Sequence, residues 1–339
     1  MFKELIFKSI IKTLNKYNNV VIVSHANPDG DAMGSSLALY LYAKKIGCNA
    51  NVIIPNDYPM FLSWMPNIDD VIIFDKNTDK ALTIMSEADL FCFLDFNTPS
   101  RTGVMHNELC RYNKIPHILI DHHLGADESA FEACLSETEI SSTSELIAQL
   151  INNQGFDNYL DKDIATNLLV GIITDTGSFA HSVFDTTFDI CAKLLSTSIN
   201  YKEIHQNIYD TSSENRLRLL GYLINDRMTI LNEYNTAYIY ASKSDLESYN
   251  YQVGDTEGVV NYPLSINSIR MSVLITERQG VIRLSFRSKG DFSVNDLARK
   301  HFNGGGHLNA AGGTLTCSLE QAIQKLIDIL PEYKDLLNK

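Results

Sequence analysis

The reading of this chain turns on Val20-Val21-Ile22-Val23-Ser24-His25-Ala26-Asn27-Pro28-Asp29-Gly30-Asp31-Ala32-Met33-Gly34-Ser35-Ser36. Four successive apolar residues, three of them valine, describe a strand buried on both faces. Pro28 and Gly30 then turn the chain, and Gly34-Ser35-Ser36 lets a helix begin close by. The turn carries one imidazole and two carboxylates within seven residues, His25 to Asp31. That is either a metal-binding arrangement or a capped strand-to-helix loop, and the stretch alone does not separate the two.

Working outward, the first half alternates short apolar runs with amphipathic ones. Strands are expected at 20–24, 51–54, 71–74, 90–94 and 117–120, and helices at 32–46, 78–85 and 101–112. This is the rhythm of a parallel, doubly wound α/β sheet, whose ligands gather beyond the carboxyl ends of the strands. His25, Asp75, Asp95 and Asp121 each follow such a run. Helical patterns take over at 142–153, 162–173, 188–195, 201–208 and 214–224, with a polar break at 210–213 that reads as an interdomain connector. A second pattern follows: strands at 228–231, 236–240, 271–276 and 281–287, a helix at 294–301, a glycine loop, a strand at 313–316 and a helix at 319–330. The expected fold is therefore α/β, with an N-terminal doubly wound, mainly parallel sheet joined by a helical linker to a smaller α/β domain. The boundaries fall at 1–185, 186–226 and 227–339.

A chain of 339 residues exceeds what one core normally serves, and 45% hydrophobic with 20% charged residues is an ordinary globular composition. No apolar run approaches the roughly 20 residues of a membrane span, and residues 1–17 read as an amphipathic helix packed on the domain. Six scattered cysteines without a C-x-x-C pair indicate buried thiols in a reducing, cytoplasmic setting. A net charge of -13 argues against long nucleic acid as a partner. Residues 261–339 nevertheless carry 10 Lys and Arg against 7 Asp and Glu, while the rest of the chain carries 18 against 34. A polyanionic ligand would need cations at the acidic part or the arginines of the C-terminal part.

His25, Asp29, Asp31, Asp95, His122 and Asp175 form a set of carboxylates and imidazoles at strand ends and helix edges. Such a set suits two divalent ions about 3.5–4 Å apart sharing one carboxylate. Without thiolates it favours Mn²⁺ over Mg²⁺, Co²⁺ or Zn²⁺. Asp75 lacks comparable neighbours and reads as a solvated strand end.

Asn27-Pro28-Asp29-Gly30-Asp31-Ala32-Met33-Gly34-Ser35, then Asp95, Asp121-His122-His123 and Thr174-Asp175-Thr176-Gly177, resemble the four ordered motifs of the DHH phosphoesterase superfamily. Phe302-Asn303-Gly304-Gly305-Gly306-His307-Leu308-Asn309-Ala310-Ala311-Gly312-Gly313 resembles the signature of its associated substrate domain. The resemblance spans nearly the whole chain and is greatest to the bifunctional oligoribonuclease (nanoRNase) and pAp phosphatase group. It implies that His25 and Asp29 hold one ion, that Asp31, His122 and Asp175 hold the other, and that Asp95 bridges. It further implies that Asp121 orients a ligating histidine and that His123 faces the scissile phosphate as hydrogen-bond donor or general acid. In the substrate domain, the amides of Gly304, Gly305 and Gly306 would approach a phosphate, His307 would donate to it, and Arg287 would take a terminal phosphate. Asn309, with Ala310 and Ala311, would open a helix, and Arg101 would help position a phosphate or pair with an acidic ligand.

Two departures stand out. Leu124-Gly125-Ala126-Asp127-Glu128 replaces an asparagine common after the two histidines, and His181 stands where another polar or basic residue is usual; it reads as a surface histidine. The implied reaction hydrolyses short oligoribonucleotides such as pApA to 5'-mononucleotides and releases phosphate from pAp, leaving AMP, in a cleft between the domains. Short RNA and pAp are then the partners, with no long duplex and no membrane, and homodimer formation is left open. A cyclic-dinucleotide phosphodiesterase, a manganese pyrophosphatase and a non-enzymatic nucleotide-binding module are the alternatives.

Overall fold

The computed structural model describes residues 2–126, 131–278 and 280–339. Asp127 and Glu128, part of the first departure above, lie outside them. The chain divides into two compact units, Met1–Thr211 and Ser212–Lys339.

The first unit runs α1 (Phe2–Leu14), β1 (Asn19–Val23), α2 (Gly30–Lys45), β2 (Asn49–Ile54), β3 (Ile72–Ile73), α3 (Thr78–Ser86), β4 (Leu90–Leu94), α4 (His106–Leu109), β5 (His117–Asp121), β6 (Ala133–Ser136), α5 (Thr143–Asn153), α6 (Phe156–Tyr159), α7 (Lys162–Asp175), α8 (Asp185–Leu195) and α9 (Tyr201–Tyr209). Its six strands lie in the order β3-β2-β1-β4-β5-β6, all parallel. The order reverses between β1 and β4, so the crevice of a doubly wound sheet opens beside His25 and Asp95. Strand residues alternate between two apolar layers. Val20, Ile22, Cys92 and Ile120 face the layer built with α2, α5 and α7, while Val21, Val23, Phe93 and Leu119 face the layer that includes α3. Burial on both faces explains why these strands read as unbroken apolar runs. Ile190, Leu194, Ile204 and Ile208 attach α8 and α9 to the first of these layers.

The second unit comprises α10 (Glu214–Asp226), β7 (Met228–Leu231), β8 (Thr236–Ala241), α11 (Lys243–Ser248), β9 (Met271–Arg278), β10 (Val281–Ser288), α12 (Val294–His301), β11 (Gly305–Gly306), β12 (Ala310–Leu315) and α13 (Leu319–Leu337). Its sheet has the order β11-β12-β10-β9-β8-β7 and is antiparallel except for the parallel pair β8 and β9.

Several expectations are corrected. The helix expected at 101–112 breaks into 3₁₀ turns flanking the four-residue α4, because Gly103 sits at φ 55°. Asn309 opens no helix: Ala310 begins a strand paired with Arg287. The last helix continues through Pro331, since Leu337 is fully buried and its carbonyl accepts from Asn235. α2 starts at Gly30, capped by Asp29, so Gly34 lies inside the helix. Among the described residues no helix is long and apolar enough to cross a membrane.

Candidate metal centre

Close packing of α2 on α7 brings the carboxylates together. A Cβ on Gly34 would lie 2.4 Å from the Asn167 carbonyl oxygen, and one on Gly171 would lie 2.8 Å from Asp31 Oδ1. Two glycines therefore let the helix carrying Asp31 lie directly against the helix that ends at Asp175.

Asp29 divides its carboxylate between two tasks. Oδ1 accepts the amides of Asp31 and Ala32 at 3.0 Å and caps α2, while Oδ2 lies 4.0 Å from His25 Nε2. His25 Nδ1 is 3.0 Å from the carbonyl oxygen of Ala26. That contact suits a protonated Nδ1, turning Nε2 towards the carboxylates.

Asp95 follows β4 in a left-handed conformation, φ 64°, which aspartate tolerates better than most residues. Its Oδ2 is 3.4 Å from His25 Nε2 and its Oδ1 is 3.3 Å from His122 Nε2. His122 Nε2 also lies 3.8 Å from Asp31 Oδ2 and 3.6 Å from Asp175 Oδ2. Two ligand sets result, His25 with Asp29 and Asp95, and His122 with Asp31 and Asp175, each set holding its donor atoms within 4.8 Å of one another. One carboxylate stands between them.

The electrostatics suit cations. Burial opposes charge on His25, but the Asp95 hydrogen bond and the charges of Asp29 and Asp95 outweigh it and raise its pKa. His122 is likewise pulled down by burial, yet Asp175, Asp95 and Asp31 push it up to about 10. Burial drives Asp31 well above the carboxylate range, aided by repulsion from Asp95 and Asp175. The same burial acts on Asp95, but hydrogen bonds to His122 and His25 hold it well below. Both imidazoles are thus pulled towards their charged form by acidic groups that divalent ions would neutralise better.

Asp121, expected to orient a ligating histidine, instead meets His123, whose Nδ1 is 2.7 Å from Asp121 Oδ1. Burial lowers the pKa of His123 against the pull of Asp121. The Arg101 carbonyl accepts from the Ala26 amide at 2.7 Å. The Arg101 guanidinium adds a small push against the charged form of both imidazoles: burial is the main cause lowering His123, while His25 stays raised by Asp95 and Asp29. Asp75 is exposed, as is His181.

The sequence places a helix at 142–153 but does not show that its first residues reach the site. The amides of Thr143 and Ser144 donate to Asp31 at 2.7 and 2.8 Å, and the Thr143 hydroxyl donates to Asp95 Oδ1 at 3.1 Å. Ser141 to Glu145 did carry one signal, a capping Ser142 three residues before a glutamate, but it marks a helix start and not a site.

In the second unit, the glycine segment is half of a hairpin and not an open loop. The amides of Gly304, Gly306 and His307 donate to Ala298 O, Asn295 Oδ1 and Ala310 O at 3.2, 2.8 and 2.7 Å. A Cβ on Gly304 would lie 1.8 Å from the Gly312 carbonyl oxygen, so tight strand packing requires this glycine. Asn309 Nδ2 donates to Ser288 Oγ and to Gly290 O, both at 2.8 Å. Arg287, the penultimate residue of β10, is half-buried, with Nη1 donating to Phe286 O at 3.0 Å.

Residues 19–172 match the DHH family, N-terminal domain, and residues 235–334 match the DHHA1 domain. A crystal structure of an exopolyphosphatase-related protein from Bacteroides fragilis superposes with a TM-score of 0.91 at 39% identity, covering 99% of this chain and 98% of that one. The chain belongs to the DHH family. Among curated DHH relatives, the bifunctional oligoribonuclease and PAP phosphatase NrnA of Thermus thermophilus is 28% identical over 92% of this chain and 89% of its own length. The cyclic-di-AMP phosphodiesterase GdpP of Bacillus subtilis is 26% identical over 97% of this chain but only 50% of its own length.

Proposed function

We propose that this DHH protein is a phosphoesterase that degrades short oligoribonucleotides to 5'-mononucleotides and converts pAp to AMP. The observation that carries this reading is Asp95, whose two carboxylate oxygens face two separate ligand sets. Relatives named as oligoribonuclease and PAP phosphatase, similar over nearly their whole length, support the substrate class.

His25, Asp29 and Asp95 would hold one divalent ion, and Asp31, His122 and Asp175 the other with Asp95 shared. Mn²⁺ is the ion we assign, on the oxygen and imidazole donors. When bound, such a pair polarises phosphate oxygens and supplies an attacking water at neutral pH. The protein's own contribution is orientation and charge. His25 presents Nε2 because Nδ1 meets a carbonyl. Asp121 fixes the His123 ring, which would donate to the phosphate as charge develops. Arg101 adds positive charge on the same side, felt at both His25 and His123. In this reading residues 1–185 carry the chemistry and residues 227–339, joined through 186–226, bind substrate. Arg287, His307 and the Gly304 to Gly306 hairpin are the phosphate-contacting groups. Because most amides of that hairpin already have acceptors, the Arg287 guanidinium, able to bond bidentately, is the stronger candidate among them.

The match to GdpP over almost all of this chain favours hydrolysis of cyclic di-AMP as the second reading. One product analysis separates them. The purified protein with Mn²⁺ is offered pAp, 5'-phosphorylated di- to hexaribonucleotides, cyclic di-AMP and pyrophosphate. AMP from pAp and from dimers supports the reading, preferential turnover of cyclic di-AMP supports the second, and turnover of pyrophosphate alone overturns both.

A further inference from the structure

The shared carboxylate needs something to keep it shared. A carboxylate beside two cations can give one oxygen to each, or turn and give both to one. Asp95 has Oδ1 3.3 Å from His122 Nε2 and Oδ2 3.4 Å from His25 Nε2, so its plane points along the line between the two sets. The hydroxyl of Thr143 also reaches Oδ1, at 3.1 Å. The same residue's amide donates to Asp31 Oδ2 at 2.7 Å. One fully buried threonine therefore touches the shared carboxylate and a carboxylate of the second set.

Thr143 is itself held from behind. It follows Ser142, the N-cap of α5, whose hydroxyl accepts the Glu145 amide at 3.0 Å. The fully buried Glu145 carboxylate accepts from Ser141 at 2.6 Å, Gln149 at 2.9 Å, and Thr186 and Thr187 at 2.7 Å each. Four side-chain donors from two helices and the loop before them fix one carboxylate, and with it the first turn of α5. Such a network is rigid when fully satisfied.

We infer that Thr143 is a positioning residue that holds Asp95 in its bridging orientation, its hydroxyl occupying Oδ1 so that the carboxylate cannot swing both oxygens towards the His25 set. The inference rests on the two-ion reading above. Groups that hydrogen-bond a ligand typically change metal affinity by about 10–100-fold when removed.

The test is Mn²⁺ titration of the full chain by isothermal calorimetry, with electron paramagnetic resonance reporting whether bound ions are magnetically coupled. Thr143→Val keeps the shape and loses the hydroxyl. It is expected to weaken the second Mn²⁺ by about 10–100-fold and lose the coupled signal, with a Tm close to wild type. Thr143→Ser, which restores the donor, is expected to retain both. Thr143→Ala serves if the valine variant does not fold. Wild-type affinity and coupling in Thr143→Val or Thr143→Ala overturn the inference, as does a Thr143→Ser chain that behaves like Thr143→Val. A wild-type chain that binds a coupled pair but leaves pAp and dimers intact contradicts the substrate reading and not this one. A wild-type chain that binds no pair contradicts both.

Discussion

Asp95 is the residue on which most depends, because its two oxygens reach the imidazoles of both sets. Asp95→Ala is expected to lower turnover of pAp by at least ~100-fold, the scale of losing one preorganised electrostatic group. Near-normal turnover in a steady-state assay would remove it from the site. The imidazoles make a second prediction. With His122 raised to about 10, that ring carries a proton at neutral pH until a cation displaces it, and His25 is shifted in the same direction. Mn²⁺ binding should therefore release protons, and affinity should fall as the pH is lowered. Calorimetry in buffers of different ionisation enthalpy reads this directly: net release at pH 7 is expected, and a heat independent of buffer would contradict it.

At the scale of elements, the approach of α2 to α7 sets the ligand spacing. Gly34→Ala gains up to about 1 kcal/mol of helix propensity. It also drives a Cβ against a backbone carbonyl that has no rotamer to escape into, at a cost of about 1–3 kcal/mol. The net expectation is lower stability in urea and weaker Mn²⁺ binding together; a stabilised variant with unchanged affinity would show that the spacing does not matter. Much of this was legible in the sequence. The buried strands before His25 and Asp95 announced themselves as apolar runs, and the motifs named carboxylates and imidazoles that the structure brings together. The role of Gly34 was not, since its neighbour on α7 is more than a hundred residues away in the chain. Thr143 was hidden for the same reason: a helix-capping pattern reveals where a helix starts, not what its first amides hold. The glycine segment is ambiguous for a different reason, because three glycines suit a close phosphate approach and close strand pairing alike.

At the scale of the molecule, the second unit has its own electrostatic anchor. Burial disfavours the Asp245 charge, but hydrogen bonds from Arg227, Tyr222 and Ser242 outweigh it and hold its carboxyl below the ordinary range. An unfolded aspartate titrates near pH ~3.9. This contribution is therefore complete above that pH and is lost as the pH falls below it towards the depressed folded value. Asp245→Asn should lower the stability of residues 212–339 by about 1–2 kcal/mol at pH 7, discounted because Arg227 is 31% exposed. It should also flatten their acid sensitivity. Hydrogen exchange of that segment checks both, and unchanged protection would contradict the assignment.

The two-ion account is tested most directly by an anomalous difference map at the manganese edge, from crystals grown with Mn²⁺. Two peaks are expected about 3.5–4 Å apart, one among His25, Asp29 and Asp95, the other among Asp31, His122, Asp175 and Asp95, with one Asp95 oxygen turned to each. A single peak, or an Asp95 carboxylate giving both oxygens to one ion, would contradict it.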